Sequence, residues 1–142
     1  TYLHSTQHIT RKQILEWLKL QRKGAFIQLI ALDGNKIVGE GSLNNNFAER
    51  YGGRAELGII VKKEYRNEGI GTAILRELLN RAKKIKNKKY KIRIIFLTVF
   101  SNNKNAIRLY KKFGFRQYGY LPKSIYWKGR YVGEIMMYKF LH

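Results

Sequence analysis

The stretch YRNEGIGTAILRELLNRAKK, residues 65–84, sets Arg66, Gly69 and Gly71 directly against the start of a helical pattern. Ala73, Ile74, Leu75, Leu78, Leu79, Ala82 and Ile85 recur at the spacing of one helix face, which predicts a helix over 71–84. Glycine is a poor helix former, so the pair marks a tight turn or a close approach of backbone to something else. A helix start entered through glycine exposes unpaired N–H groups, and these suit an anion. Arg66 adds a permanent charge and several donors. A pyrophosphate is the natural guest of such a turn. A loop-to-helix turn without a ligand is the alternative, and the spacing by itself does not separate the two.

Working outward, RAELGIIV reads as the strand that feeds this turn, preceded by a polar loop, NNNFAERYGG. AFIQLIAL and KIVGEGSL are two earlier strands joined by DGNK, a hairpin signal. Residues 9–23 space Ile14, Leu15, Trp17, Leu18 and Leu20 as an amphipathic helix, with Thr10 as its cap. Downstream, IRIIFLTVF is almost continuously apolar, as in a central strand covered on both faces. NKNAIRLYKKFGF is a short helix that Gly114 can end in a left-handed cap. FRQYGY and YVGEIMMYKF are two last strands, with LPKSIYWKGR as a loop between them. The order helix-β-β-β-helix-β-helix-β-β is a mixed α/β arrangement around one sheet.

The composition removes several kinds of chemistry. The chain has no cysteine, which excludes a disulfide framework, a thiolate zinc site and a cysteine nucleophile. It also fits a reducing compartment, so a cytoplasmic location is expected. The histidines are His4, His8 and His142, and the sole aspartate, Asp33, lies in the hairpin turn. A Ser-His-Asp triad or a His-rich metal site lacks its parts, and no metal is expected. There is no G-x-x-x-x-G-K-[ST] stretch, and NEGIGT lacks the third glycine of a dinucleotide fingerprint. GEGSL reads as tight packing of a strand rather than a serine elbow. No apolar run is long enough to span a bilayer, so no membrane partner is expected. Backbone amides, an arginine, glutamates and tyrosines remain, a toolkit for holding a phosphorylated cofactor and moving protons. The net charge of +20, from 29 basic residues against nine acids, favours anionic partners. Its densest run, RAKKIKNKKYKIR at 81–93, is either a solvated helix end or a docking surface for RNA or a ribosome.

VKKEYRNEGIGTAIL resembles motif A of the GNAT superfamily, the acyl-CoA-dependent N-acyltransferases, whose core [RQ]-x-x-G-x-[GA] is met by Arg66, Gly69 and Gly71. NNKNAIRLYKKFGF resembles the family's motif B helix, with Asn105, Ala106, Tyr110, Gly114 and Phe115 in the matching places. The two occur in order, each after a strand, and the resemblance covers roughly 25–141. It implies a mixed α/β (α+β) fold: a central, mostly antiparallel sheet with one splayed parallel strand pair, flanked by helices. The family opens with a strand and a helix ahead of the segment at 9–23. Residues 1–8 are too few for both, so the single domain at 1–142 is expected to lack them.

The same resemblance implies a site. Acetyl-CoA would lie between the splayed strands RAELGIIV and IRIIFLTVF, on the backbone of Ile59, Ile60 and Val61. Its pyrophosphate would sit on Arg66, Asn67, Glu68, Gly69, Ile70, Gly71 and Thr72. Asn102, Asn105 and Tyr110 would hold the thiol end and the pantetheine arm. Tyr110 matches the family's usual general acid, although packing of the short helix explains it too. Glu56 is the first candidate base and Glu134 the second. The alternative for Glu56 is a sheet-surface ion pair. Tyr118, Tyr120, Tyr126 and Tyr131 either line the acceptor cleft or, for most of them, fill the core. The expected reaction is direct attack of a primary amine on the thioester in a ternary complex. A protein N-terminus, a ribosomal protein, a polyamine and a small amine all stay open as acceptors. A basic RNA- or ribosome-binding module with a vestigial CoA site is the competing reading. A homodimer through the C-terminal strands is open as well.

Overall fold

The computed structural model describes Leu15, residues 26–46 and residues 51–141. The helix expected at 9–23 lies outside them except for Leu15, which is helical and exposed. The strands are β1 (Phe26–Asp33), β2 (Lys36–Asn46), β3 (Arg54–Val61), β4 (Ile94–Phe100), β5 (Arg116–Trp127) and β6 (Arg130–Phe140). They form one sheet in the order β1-β2-β3-β4-β6-β5. Every neighbouring pair is antiparallel except β3 and β4, which run parallel. Helix α1 (Ile70–Lys83) makes the crossover between those two strands, and α2 (Lys104–Lys112) connects β4 to β5. No helix among the described residues is long and apolar enough to cross a membrane.

The glycines of β2 seat α1. Gly39, Gly41 and Leu43 alternate onto the face that α1 covers. A Cβ on Gly39 would lie 3.1 Å from Ile70, and one on Gly41 would run into Ile74. The GEGSL stretch is therefore the tight strand packing that its sequence suggests. Against it α1 buries Ile74, Leu75, Leu78, Leu79 and Ala82, while Ala73, expected on that face, is exposed. These side chains join Leu43, Leu57, Ile95, Leu97, Met137, Tyr110 and Phe115 in one cluster. The face that matters for packing is thus the one that carries both helices.

Three expectations need correction. The strand at IRIIFLTVF begins at Ile94, and only one of its faces is fully covered. Ile95, Leu97 and Val99 are buried, whereas Ile94, Phe96 and Phe100 are half-buried and Thr98 is exposed. Its apolar run is continuous in sequence but not in burial. Second, β2 continues through Asn44 and Asn45 to Asn46, which pairs with Arg54, so the polar loop begins later than NNNF suggests. Third, LPKSIYWKGR is mostly strand. The turn is Lys128–Gly129, both at positive φ (47° and 79°), which is the twist of a two-residue hairpin. Pro122 sits where the β5–β6 register shifts between Leu121 and Ile125. β5 is an edge strand, so the missing N–H of Pro122 breaks no second ladder.

The same hairpin overturns core filling by the tyrosines. Tyr118, Tyr120, Tyr126 and Tyr131 are all more than half exposed. Tyr126 meets Tyr131 edge-on across the strands at 5.2 Å between ring centres, and Tyr118 meets Tyr138 at 5.9 Å. These are cross-strand pairs that pin register on a sheet surface.

Candidate active site

β3 and β4 pair only at their first three positions, Arg54 with Ile94, Ala55 with Ile95 and Glu56 with Phe96. Beyond Glu56 they diverge. Leu57 to Val61 keep their partners in β2, and Leu97 to Phe100 keep theirs in β6. The two facing edges are left with backbone groups that no strand ladder satisfies, and such groups seek partners. Ile59, Ile60 and Val61 lie in this open stretch. A slender ligand carrying amides is the chemical match for such a cleft.

At the open end stands the turn that the sequence singled out. Asn67 has φ 63° and Gly69 has φ 82°, so the chain reverses through two left-handed residues before α1 begins. Gly69 caps α1 with no side-chain hydrogen bond. The Ala73 N–H donates to the Gly69 carbonyl at 3.0 Å, the first bond of the helix. The N–H groups of Ile70, Gly71 and Thr72 have no acceptor within the helix. A Cβ on Gly69 would meet nothing within 4 Å, so glycine is needed there for its φ. A Cβ on Gly71 would lie 3.7 Å from Leu109, so this glycine stands where α1 passes α2. Arg66 donates from Nε to the Val61 carbonyl at 3.2 Å, which sets its charge at the mouth of the cleft. Asn67 and Glu68 are exposed on the rim.

Sequence reasoning passed over what braces this turn. The Tyr65 hydroxyl donates to Asp33 Oδ2 at 2.8 Å, and the Lys62 N–H donates to the Val38 carbonyl at 2.9 Å. The bond to Asp33 raises the Tyr65 pKa. The phosphate-type turn is thereby tied to the β1–β2 hairpin.

Helix α2 supplies the third wall. Asn103 caps it, its Oδ1 accepting from the Ala106 N–H at 3.2 Å. Asn105 Oδ1 accepts from Arg108 along the exposed helix surface at 2.8 Å. Asn102 is exposed in the turn after β4. Gly114 ends the helix at φ 90°, and the Phe115 N–H returns to the Tyr110 carbonyl at 3.0 Å, the left-handed cap that the sequence predicts. Tyr110 is buried edge-on against Phe115 and shares a cluster with Leu57, Leu97 and Val99 from the diverging strands. Burial pushes its hydroxyl pKa up to about 12. Among the described residues that hydroxyl has no hydrogen-bond partner.

Glu56 stands at the fork, on the sheet face opposite α1. It is exposed and lines a cavity of about 520 Å³ together with Asn44, Asn45, Tyr51, Arg54 and Phe96. Among the described residues the one ion pair joins Arg81 to Glu77, so Glu56 is not tied up on the sheet surface. Glu134 pairs with Phe100, four residues beyond Phe96 on β4 and therefore about 13 Å farther along the strand. The structure brings Glu56 to the fork and leaves Glu134 away from it. Arg54 is a member of this cavity that sequence reading missed. Its position two residues before Glu56 already put the two on one face, but the ring that neighbours them, Phe96, comes from a strand pairing that no local pattern reveals.

The basic run follows α1 at the end remote from Gly69. Tyr90 and Ile92 anchor it in the core, while Lys83, Lys84, Lys86, Lys88 and Lys89 are exposed. The 14 residues of α1 separate it from the phosphate-type turn by about 20 Å, beyond the screening length at physiological salt. Replacing these five lysines with glutamine is expected to change anionic-cofactor affinity by no more than a few-fold at physiological salt. Calorimetry checks this, and a loss comparable with that from damage to the turn would place the run beside the cofactor.

Comparison with known proteins follows the same lines. The chain matches the model of the Acetyltransferase (GNAT) family over residues 1–115. It is 27% identical over 134 residues to the L-amino acid N-acetyltransferase AaaT of Escherichia coli (strain K12), covering 94% of this chain and 76% of that protein. It is 33% identical over 89 residues to the spermidine N(1)-acetyltransferase of the same organism, covering 63% of this chain and 46% of that protein. Its fold is similar to that of a GNAT superfamily phosphinothricin acetyltransferase from Sinorhizobium meliloti solved in complex with AcCoA. The TM-score is 0.73 at 21% identity, over 91% of this chain and 68% of the other.

Proposed function

The chain belongs to the acetyltransferase (GNAT) family, and from that premise we propose that it moves the acetyl group of acetyl-CoA directly onto a primary amine held beside Glu56. The observation that carries this reading is the fork. One cleft has unpaired strand edges along its length, free helix N–H groups at its mouth and a carboxylate at its apex. The residues present fit the cofactor. Unsatisfied strand groups at Ile59 to Val61 complement the amides of a pantetheine arm, and Arg66 with the N–H groups of Ile70 to Thr72 complements a pyrophosphate. Bound there, acetyl-CoA supplies an activated acetyl thioester, and no nucleophile from the chain is required.

The chain's own residues then manage protons. Only a neutral amine attacks. A lysine-type amine with pKa about 10.4 is almost wholly protonated at pH 7, whereas an α-amine near 7.7–8.0 is partly free. Glu56, unpaired at the apex, accepts the proton that the amine must lose. Tyr110 acts at the sulfur. With its hydroxyl at about 12, it stays protonated throughout the neutral range. A thiol ionises near about 8.5, so complete proton transfer from this tyrosine to a thiolate runs uphill. Donating a hydrogen bond to the developing negative charge does not, and that is the role assigned to Tyr110.

The relatives differ in acceptor, and a primary amine is what an amino acid and a polyamine share. The test is acetyl-CoA turnover against amino acids, peptides with free N-termini and polyamines, followed by release of the free thiol. Acetyl-CoA binding with no transfer to any amine would sink the catalytic reading and leave a binding protein. Glu56→Gln is expected to lower kcat/KM by about 10²-fold or more at pH 7. The loss should shrink as the pH approaches the pKa of the amine, where no base is needed. An unchanged pH–rate profile would move the base to Glu134 or to water.

A further inference from the structure

Arg54 and Glu56 alternate onto the same face of β3, which places their side chains about 7 Å apart at the fork. They are of opposite charge, line one cavity and nevertheless form no ion pair with each other. The reason is visible around Arg54. Its guanidinium lies 5.0 Å from the ring centre of Phe96 and 5.3 Å from that of Tyr51. Aromatic contacts of this kind hold the plane of a guanidinium while leaving the N–H groups on its edge available. Among the described residues, none of those N–H groups has an acceptor. The cavity thus holds a fixed, aromatic-backed cation with free donors, next to the carboxylate proposed as base.

We infer that Arg54 binds a carboxylate on the acceptor, so that the acceptor is an amine bearing an adjacent acid group, of the α-amino acid class. This rests on the acetyltransferase reading above. An amino acid placed between the two side chains turns its amine to Glu56 and its carboxylate to the guanidinium fork, satisfying both with one small molecule. A polyamine fits the pair badly, because its second cation would have to lie against Arg54. The chain's net charge of +20 works in the same direction, attracting acceptors that carry an anion and repelling polycations.

The experiment is calorimetric binding to the protein saturated with CoA, followed by turnover with acetyl-CoA. The probes are L-methionine, L-phenylalanine and L-glutamate, each beside its α-carboxamide, and spermidine. The parent should bind at least one of the free acids about tenfold or more tightly than its amide, and tighter than spermidine. Arg54→Gln should remove that preference, weakening the acid about 10- to 100-fold while leaving the amide and CoA itself unchanged. Arg54→Lys should recover part of the loss, since it keeps the charge but not the fork. Equal binding of acids and amides by the parent, preference for spermidine, binding of none of the acids, or an Arg54→Gln variant that keeps the acid preference would each overturn the inference. Failure of the wider reading looks different: CoA itself does not bind, or acids bind through Arg54 and are never acetylated.

Discussion

Gly71→Glu should abolish acetyl-CoA binding in a protein that remains folded. The position allows the two effects to be separated. A Cβ at Gly71 meets Leu109 at ordinary contact distance, 3.7 Å, so the backbone need not move. An acidic side chain in the first turn of a helix is also favourable for the helix itself, because it faces unpaired N–H groups and the positive end of the dipole. That is why it is destructive for the ligand. The carboxylate would take up the donors of Ile70 to Thr72 proposed for the phosphate oxygens, and it would add a like charge where the pyrophosphate is proposed to lie. Loss of two charge-assisted hydrogen bonds at about 1.5–3 kcal/mol each corresponds to at least about 10²-fold in affinity. Calorimetry of acetyl-CoA binding reads this directly, with thermal unfolding as the control for fold. Gly69→Glu should also lose binding, but at φ 82° it adds backbone strain of about 1–2 kcal/mol, so its stability should fall as well. Gly69→Asn, a residue that tolerates the left-handed region, should retain both. Parent-like affinity in Gly71→Glu would show that the pyrophosphate does not sit on this turn.

The turn was legible because its signal is local. Arg66, Gly69 and Gly71 lie within six consecutive residues, and the helix that follows has a clear apolar period, so the short stretch itself carries the argument. The fork was legible only through family resemblance. Nothing in RAELGIIV or IRIIFLTVF says that the strands part after Glu56, since divergence is a relation between two segments 40 residues apart. The tight turn of the β5–β6 hairpin was missed for the opposite reason. Its turn signal is one Lys-Gly pair, masked by Pro122 a few residues earlier, and Pro reads as loop unless the strand is known to be an edge. Arg54 was missed because an arginine before a glutamate on a strand reads as a solvated surface. Its meaning comes from Phe96 and Tyr51, one supplied by the parallel register and the other by the segment before β3. Local patterns therefore pointed to the turn proposed for the cofactor's anion, while the proposed acceptor side depended on which strands become neighbours.

Tyr110→Phe should lower kcat by about 10²-fold while leaving acetyl-CoA affinity near its parent value, as for removal of one donor that acts only on developing charge. The structure makes this substitution unusually clean. The ring is buried and edge-packed on Phe115, and phenylalanine keeps that packing. The hydroxyl has no partner among the described residues, so its removal breaks no hydrogen bond found there and should leave stability unchanged or slightly raised. The pH dependence gives a second reading. Burial raises the hydroxyl pKa from 10.0 to about 12, so the folded state favours the neutral phenol. Folded and unfolded chains hold this proton equally below pH about 10. Above it the unfolded chain releases the proton first, and stability falls as the pH rises toward about 12. The phenylalanine variant should lack that fall and otherwise follow the parent. In the kinetics, Tyr110 should contribute no alkaline loss of kcat below pH about 10, because its proton is still in place. A kcat loss smaller than about threefold would reduce Tyr110 to a packing residue, since one hydrogen-bond donor to a developing negative charge is worth about 10²-fold or more.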